Sequence, residues 1–267
     1  MSGLKIVVLA KQVPDTHNVG ANAMNADGTV NRAALPTVFN PEDLNALEMA
    51  LQVKDRVPGT HITVVTMGLP KASTIISDSM SRGADAGFVL SDPRLGGADT
   101  LATSYALSKA VEMVGNVDLI IGGRQAIDGD TAQVGPQVAE KLDIPQVTYA
   151  ETLVNVDNKS IEVTRRLADG IEQVRVNFPA VVTVTGTAQA CRFPHAHRLI
   201  ALDGQAVETR NADDIKPDFE RIGKKGSPTK VKKIQNVVLA HKESQQVEPT
   251  TQALSELMGT LIAEHII

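Results

Sequence analysis

Residues 117–136 read VDLIIGGRQAIDGDTAQVGP. The run from Val117 to Ile121, apolar but for Asp118, stops at Gly122-Gly123, and a polar loop follows. Asp128, Asp130 and Thr131 then lead into a new amphipathic stretch. That order predicts a buried strand, a turn and a helix start. A helix start carries free backbone N–H groups, and glycine lets the chain approach a ligand closely, so the segment is a natural seat for a phosphate. The carboxylates of Asp128 and Asp130 argue against a bare anion hole. They repel phosphate unless they cap the helix or point at a ribose or a metal. A plain strand–helix corner, capped by Asp and Thr, is the alternative reading.

The segments around this one alternate in the same way. Residues 4–10 read as a buried strand, 61–67 as another ended by Gly68, and 86–90 as a short third. Asn40 caps a helix with Pro41 at its first position and Glu42 and Asp43 in its first turn. Leu44, Leu47 and Leu51 form the apolar face of that helix. Residues 72–82 are a helix closed by Gly83, and Asp99 or Thr100 opens one that runs to about Val114. Residues 22–32 read as a hairpin around Asp27-Gly28. The predicted fold class is therefore α/β, a doubly wound, mainly parallel, Rossmann-like sheet with helices on both faces. In such sheets ligands sit beyond the carboxyl ends of the strands. Three such ends, Leu9-Ala10-Lys11, Met67-Gly68 and Gly122-Gly123, gather along one edge. Neither GxGxxG nor a Walker loop is present, so the phosphate seat is of neither standard kind.

After Pro145 the pattern changes to strands at 146–156, 160–167, 171–177 and 180–185, with turns at Asp157-Asn158 and Asp169-Gly170. Residues 186–249 have poor periodicity, as an arm or partner-facing segment does. Helical spacing returns over 250–267, with Leu254, Leu257, Leu261 and Ile262 on one side. That face is core or a subunit contact, and its place after a weakly patterned arm favours the contact.

Hydrophobic residues make up 42% of the 267, with no tryptophan, so the core is built from Val, Ile, Leu and Ala. A net charge of −5 gives no electrostatic case for nucleic acid. The basic patch from Lys224-Lys225 to Lys232-Lys233 reads as a solvated loop around Gly226-Ser227-Pro228. Cys191 stands alone, which excludes an intrachain disulfide. His195 and His197 could share a metal on a strand but lack a third ligand. The opening apolar run is too short for a signal peptide and no run suits a membrane span, so a cytoplasmic protein is expected.

Residues 122–136 carry a resemblance as well. They are joined by Asn40-Pro41 upstream, and by Arg166-Leu167-Ala168-Asp169-Gly170 and Pro179-Ala180-Val181-Val182-Thr183 downstream. Together these resemble the beta subunit of electron-transfer flavoproteins, over a stretch from Leu4 to about Arg192. The resemblance implies a heterodimer whose alpha subunit carries a redox FAD, while the beta subunit holds AMP or a second FAD. It places nucleotide contacts at Leu9, Asn40, Pro41, Asp43 and Met67. It also places them at Gln125, Ala126, Ile127, Asp128, Gly129, Asp130, Thr131, Gln133, Val134 and Gly135. Arg124 is the cation for the pyrophosphate or the flavin ring. The implied domains are 1–190, a nucleotide-binding α/β domain, and 191–267, an arm and helix that pack on the partner subunit.

Gly129 stands where AMP-binding members tend to carry a bulkier acidic residue, which leans toward FAD. Residues 96–104 resemble a loop of electron-bifurcating members, in which the beta-subunit flavin takes a hydride from NADH. Gly96, Gly97, Asp99 and Thr100 are then the NADH-binding residues, expected to lie apart from the 125–136 segment. The chain would hold no catalytic side chain of its own. One electron would go toward the alpha-subunit FAD and an acyl-CoA or other flavin dehydrogenase. The other would go toward a low-potential ferredoxin or flavodoxin. A carrier subunit with structural AMP and a stand-alone adenine-nucleotide-binding domain are the rivals. An ATP-dependent hydrolase-like enzyme is disfavoured, because no Ser-Gly-Gly-x-Asp-Ser loop follows the first strand. One departure stands out. Where family members anchor a dehydrogenase with a leucine, this chain reads Arg192-Phe193-Pro194-His195-Ala196-His197-Arg198-Leu199. Ala196 is near the anchor position, and Leu199 is the shifted alternative.

Overall fold

Alternate residues of the first strand, β1 (Lys5–Leu9), point to opposite faces of a sheet, and both faces are covered. Ile6 and Val8 enter one apolar core, Val7 and Leu9 the other. The computed structural model describes residues 3–15, 36–229, 244 and 246–267. The hairpin expected at 22–32 and Lys232-Lys233 lie outside the described residues. Two compact units are present, Met1–Val231 and Lys232–Ile267.

In the first unit β1 is followed by a short antiparallel pair, β2 (Gln12–Pro14) and β3 (Thr37–Phe39). Then come α1 (Pro41–Arg56), β4 (His61–Met67), α2 (Ser73–Arg82), β5 (Ala86–Leu90), α3 (Thr100–Val114), β6 (Leu119–Gly123) and α4 (Val134–Leu142). The run β7 (Gln146–Val156), β8 (Ser160–Leu167), β9 (Gly170–Asn177) and β10 (Ala180–Val184) precedes α5 (Ala196–Leu202) and β11 (Glu208–Arg210). The second unit contains α6 (Thr251–Ala263), whose first turn is capped by Thr250 Oγ1, accepting from Ala253 N at 3.2 Å.

The main sheet has the order β11-β5-β4-β1-β6-β10-β7-β8-β9. Every neighbouring pair from β11 to β7 is parallel, and β8 and β9 add an antiparallel edge. Residues of α1 and α2 pack in one core, and those of α3 and α4 in the other. From β1 the chain moves outward to β4 and β5, then returns to lay β6 on the other side of β1. That reversal makes β1/β6 the topological switch point, where a crevice opens at the carboxyl ends. In register, Leu9 faces Gly122 there.

The doubly wound α/β class and the strands at 61–67, 86–90, 146–156 and 160–167 are as expected. The arm holds more structure than its pattern suggests. Glu208, Thr209 and Arg210 pair with Phe88, Val89 and Leu90 and extend the sheet, a strand too short to register a period of two. Among the described residues no helix is long and apolar enough to cross a membrane. Nor does any group of three or more His, Cys, Asp or Glu there form a metal cluster. His195 and His197 flank the start of α5, with ring centres 5.8 Å apart.

Candidate functional site

A cavity of about 410 Å³ opens at the carboxyl ends of β1, β4 and β6, within the range of about 300–1,000 Å³ usual for small-molecule sites. Its walls include the three strand ends expected to meet, through Leu9, Ala10, Lys11, Met67, Gly122 and Gly123. Val65, Leu95, Leu107 and Val181 supply apolar lining, and in the sequence they are indistinguishable from core. Thr100 and Thr103 from the first turn of α3, and Val134 and Gly135 from that of α4, also line it. Both helix starts turn the positive end of a macrodipole toward it. Asp99 already caps α3 through Ala102 N, so the start of α4, which has no side-chain cap, is the one open to an anion.

Asp43 ties the switch point together. Its Oδ2 accepts from Lys11 N at 2.8 Å and its Oδ1 from Gly123 N at 2.9 Å, so one carboxylate joins the ends of β1 and β6. Gly123 permits this approach, because a Cβ there would collide with the Asp43 carboxylate and the Glu42 main chain. Burial pushes the Asp43 carboxyl up to about 7, against the pull of the Lys11 and Gly123 N–H groups and the Asn40 amide; Glu42 adds to the rise. With its folded value above the ordinary 3.8, the stability contributed by this group is complete below pH 3.8 and lost as pH rises toward 7. Order at the cavity runs the opposite way, since protonation turns one acceptor into a donor facing an N–H. Nucleotide retention is therefore expected to fall about tenfold between pH 8 and pH 6, the cost of one charge-assisted hydrogen bond. Asp43→Asn, which cannot accept through both atoms, should retain nucleotide weakly and without this pH dependence. A wild-type retention profile flat from pH 6 to pH 8 contradicts the assignment.

Asn40 heads α1 but does not cap it with its side chain. It is fully buried; its Nδ2 donates to Gln125 O at 2.9 Å and its Oδ1 accepts from Ile127 N at 3.1 Å, which pins the 125–127 loop. Glu42, two residues on, does the same, with Oε2 accepting from Gln125 N at 2.9 Å. Arg124 lines the cavity, but its guanidinium is held by Glu42 at 2.8 Å, which raises its pKa, and lies 5.7 Å from the Tyr149 ring centre. Lys11 is likewise paired, with Asp128 at 2.6 Å.

The helix start expected just after Thr131 lies farther on. α4 begins at Val134 with Gln133 at its cap position, so Asp128, Asp130 and Thr131 are loop residues and not helix caps. The reason is local: Asp130 (φ 48°) and Ala132 (φ 53°) are left-handed and break any helix there. Asp130 Oδ1 instead accepts from Gln125 Nε2 at 2.9 Å. Gly129 faces open space, since a Cβ built on it meets no atom within 4 Å. Gly135 is glycine for another reason, because a Cβ there would run into the Thr183 methyl.

Of the expected contacts, Leu9, Asp43, Met67, Arg124, Gln125, Ala126, Gly129, Asp130, Thr131, Gln133, Val134 and Gly135 line the cavity. Asn40, Pro41, Ile127 and Asp128 are not among its lining residues. Gly97, Asp99 and Thr100 line the same cavity; Gly96 does not. The expected separation between the 96–104 loop and the 125–136 segment is absent. Thr100 Oγ1 donates to Gln133 Oε1 at 2.9 Å, because α3 and α4 are neighbours on one face of the sheet.

Residues 27–215 match the electron transfer flavoprotein domain. The chain is 40% identical over 264 residues to electron transfer flavoprotein subunit beta of Clostridium acetobutylicum, covering 99% of this chain and 100% of the relative. It is 42% identical over 228 residues to caffeyl-CoA reductase-Etf complex subunit CarD of Acetobacterium woodii, covering 85% and 86%. Protein FixA of Rhizobium meliloti is 36% identical over 267 residues, covering 97% and 90%. The chain belongs to the electron transfer flavoprotein family, among its beta subunits.

Proposed function

We propose that this beta subunit holds FAD in the cavity at the β1/β6 switch point, within a heterodimer with an alpha subunit. In this reading NADH is the donor. One electron passes to the alpha-subunit FAD and a flavin dehydrogenase, the other to a low-potential ferredoxin or flavodoxin. The observation that carries the proposal is the open space at Gly129 on the cavity lining; in this reading a ligand phosphate lies beside it. Relatives named as a subunit of a caffeyl-CoA reductase-Etf complex and as an acryloyl-CoA reductase electron transfer subunit support a dehydrogenase acting on an acyl-CoA ester. A cytoplasmic setting accords with NADH as donor. AMP in the same cavity is the second reading, favoured by its modest volume.

The residues suit a dinucleotide. N–H groups at the start of α4 would meet phosphate, Thr100, Thr131 and Gln133 offer hydrogen bonds to ribose or ribitol, and Leu9, Val65 and Val181 present an apolar surface. FAD, when bound, supplies two-electron acceptance and one-electron release, and the chain supplies orientation and electrostatics. We also propose that residues 191–267 pack on the alpha subunit, through the apolar spacing of Leu254, Leu257, Leu261 and Ile262. Docking of the dehydrogenase falls to Leu199 within α5, which is 51% exposed, rather than to Ala196 at the first position of that helix.

The test is anaerobic addition of NADH to the purified heterodimer, with dithionite as the control. The reading predicts that NADH bleaches the flavin absorbance. Flavin that dithionite bleaches and NADH does not would reject the donor.

A further inference from the structure

We propose that residues 222–229, the stretch of the arm after β11, buttress the 96–100 loop at the cavity mouth without lining the cavity themselves. Lys224 on that buttress is the cation that reads the phosphates of the dinucleotide electron donor. The inference rests on the NADH reading above and adds a residue that the sequence presents only as part of a solvated basic loop.

The stretch is fastened to the cavity's 96–100 loop. Lys224 N donates to Gly96 O at 3.0 Å, and Asp99 N donates to Ser227 Oγ at 2.8 Å. Thr229 N and Thr229 Oγ1 both donate to Asp99 Oδ2, at 3.1 and 2.8 Å, while Asp99 Oδ1 accepts from Ala102 N at 3.0 Å. The Asp99 carboxylate is thus engaged on both oxygens by the protein itself, and it positions the loop instead of meeting a ligand. Ser227 is buried and donates to Gly223 O at 2.7 Å, which closes the turn.

Gly97 shows why the lysine lies where it does. Its φ of +70° is one that glycine adopts freely, and a Cβ on it would sit 3.4 Å from Lys224 Cβ, with Lys224 Cγ and Cδ close behind. The lysine stem therefore runs along the bare glycine. Charge accounting then singles out this ammonium. Both cationic residues that line the cavity are already paired, Lys11 with Asp128 and Arg124 with Glu42. Asp43, Asp99 and Asp130 also line it, so an incoming anion finds more negative than free positive side chains. Lys225, the neighbour of Lys224, is paired with Glu220. Lys224 is exposed and makes no ion pair among the described residues. An unpaired ammonium on the rim, next to the start of α3, draws phosphate toward the mouth.

The experiment uses the heterodimer with Lys224→Ala and Lys224→Arg, measured by stopped-flow bleaching over a range of NADH concentrations. In Lys224→Ala the apparent Kd for NADH should rise about fivefold at low ionic strength, as for one exposed ion pair. The limiting bleaching rate and the FAD content should hold, and the difference should shrink as salt is added. Lys224→Arg should restore the affinity. An apparent Kd unchanged in Lys224→Ala overturns this inference alone. Loss of FAD in place of NADH affinity also overturns it, since the cation would then serve the resident nucleotide. A parent complex that NADH does not bleach overturns it together with the reading on which it rests.

Discussion

Gly129→Glu is expected to strip FAD from the heterodimer, lowering its affinity about a hundredfold, while its unfolding midpoint matches that of the flavin-free parent complex. A Cβ at residue 129 meets no heavy atom within 4 Å, and its φ lies outside the left-handed range, so a side chain enters without strain. The added carboxylate occupies space that the cavity keeps open beside the two helix starts. Like charge set against a ligand phosphate costs several kcal/mol, which is the source of the hundredfold figure. Gly129→Ala is the control and should keep its flavin, because a methyl group carries neither charge nor reach. The measurements are flavin absorbance per heterodimer after dialysis, and thermal unfolding. Full FAD retention in Gly129→Glu contradicts the placement of the phosphates.

The second large effect concerns stability. Glu48 on α1 is 1% exposed, and three donors of Arg192 converge on it: the backbone N at 3.0 Å, Nε at 3.0 Å and Nη2 at 2.9 Å. Nη2 also reaches Asp55 at 2.8 Å. Arg192→Met keeps the stem but leaves the Glu48 carboxylate buried with little beyond a backbone N–H. Breaking a buried pair from one side costs about 3–5 kcal/mol, to be read from urea unfolding. Glu48→Gln combined with Arg192→Met should recover part of the loss, since the stranded charge is gone. A loss below about 1 kcal/mol, typical of a surface ion pair, would show that solvent reaches Glu48 freely. Arg192 stands just before α5, so the bridge holds the beginning of the arm against α1.

Much of this architecture is legible in the sequence because its physics is local. β1 and β6 are covered on both faces, so Ile6–Leu9 and Leu119–Ile121 appear as continuous apolar runs, while β4 shows a β-branched run broken by Thr63 and Thr66, and each ends where the chain turns. Pro41 with Glu42 and Asp43 marks the start of α1 for equally local reasons. What stayed hidden depends on distant partners. Asn40 has the look of a helix cap, yet its amide bonds to Gln125, 85 positions away. β10 inserts between β6 and β7, an order that no spacing encodes. Asp130 and Ala132 adopt left-handed backbone without being glycine, which moves the start of α4 past the residues that resemble caps. Residues 222–229 have no period at all and are fixed by single hydrogen bonds to the cavity loop. The cavity was thus foreseeable as three strand ends with a glycine-rich loop. The stretch that buttresses its 96–100 loop and the pairing of its cations were not.

The central claim is that the cavity at the β1/β6 switch point holds a flavin, and the nucleotides released by denaturing the purified heterodimer test it most directly. Two FAD and no AMP per heterodimer is the expected inventory. One FAD and one AMP, from a complex fully loaded in the presence of excess FAD, would contradict it and leave this chain as a carrier subunit with a structural nucleotide.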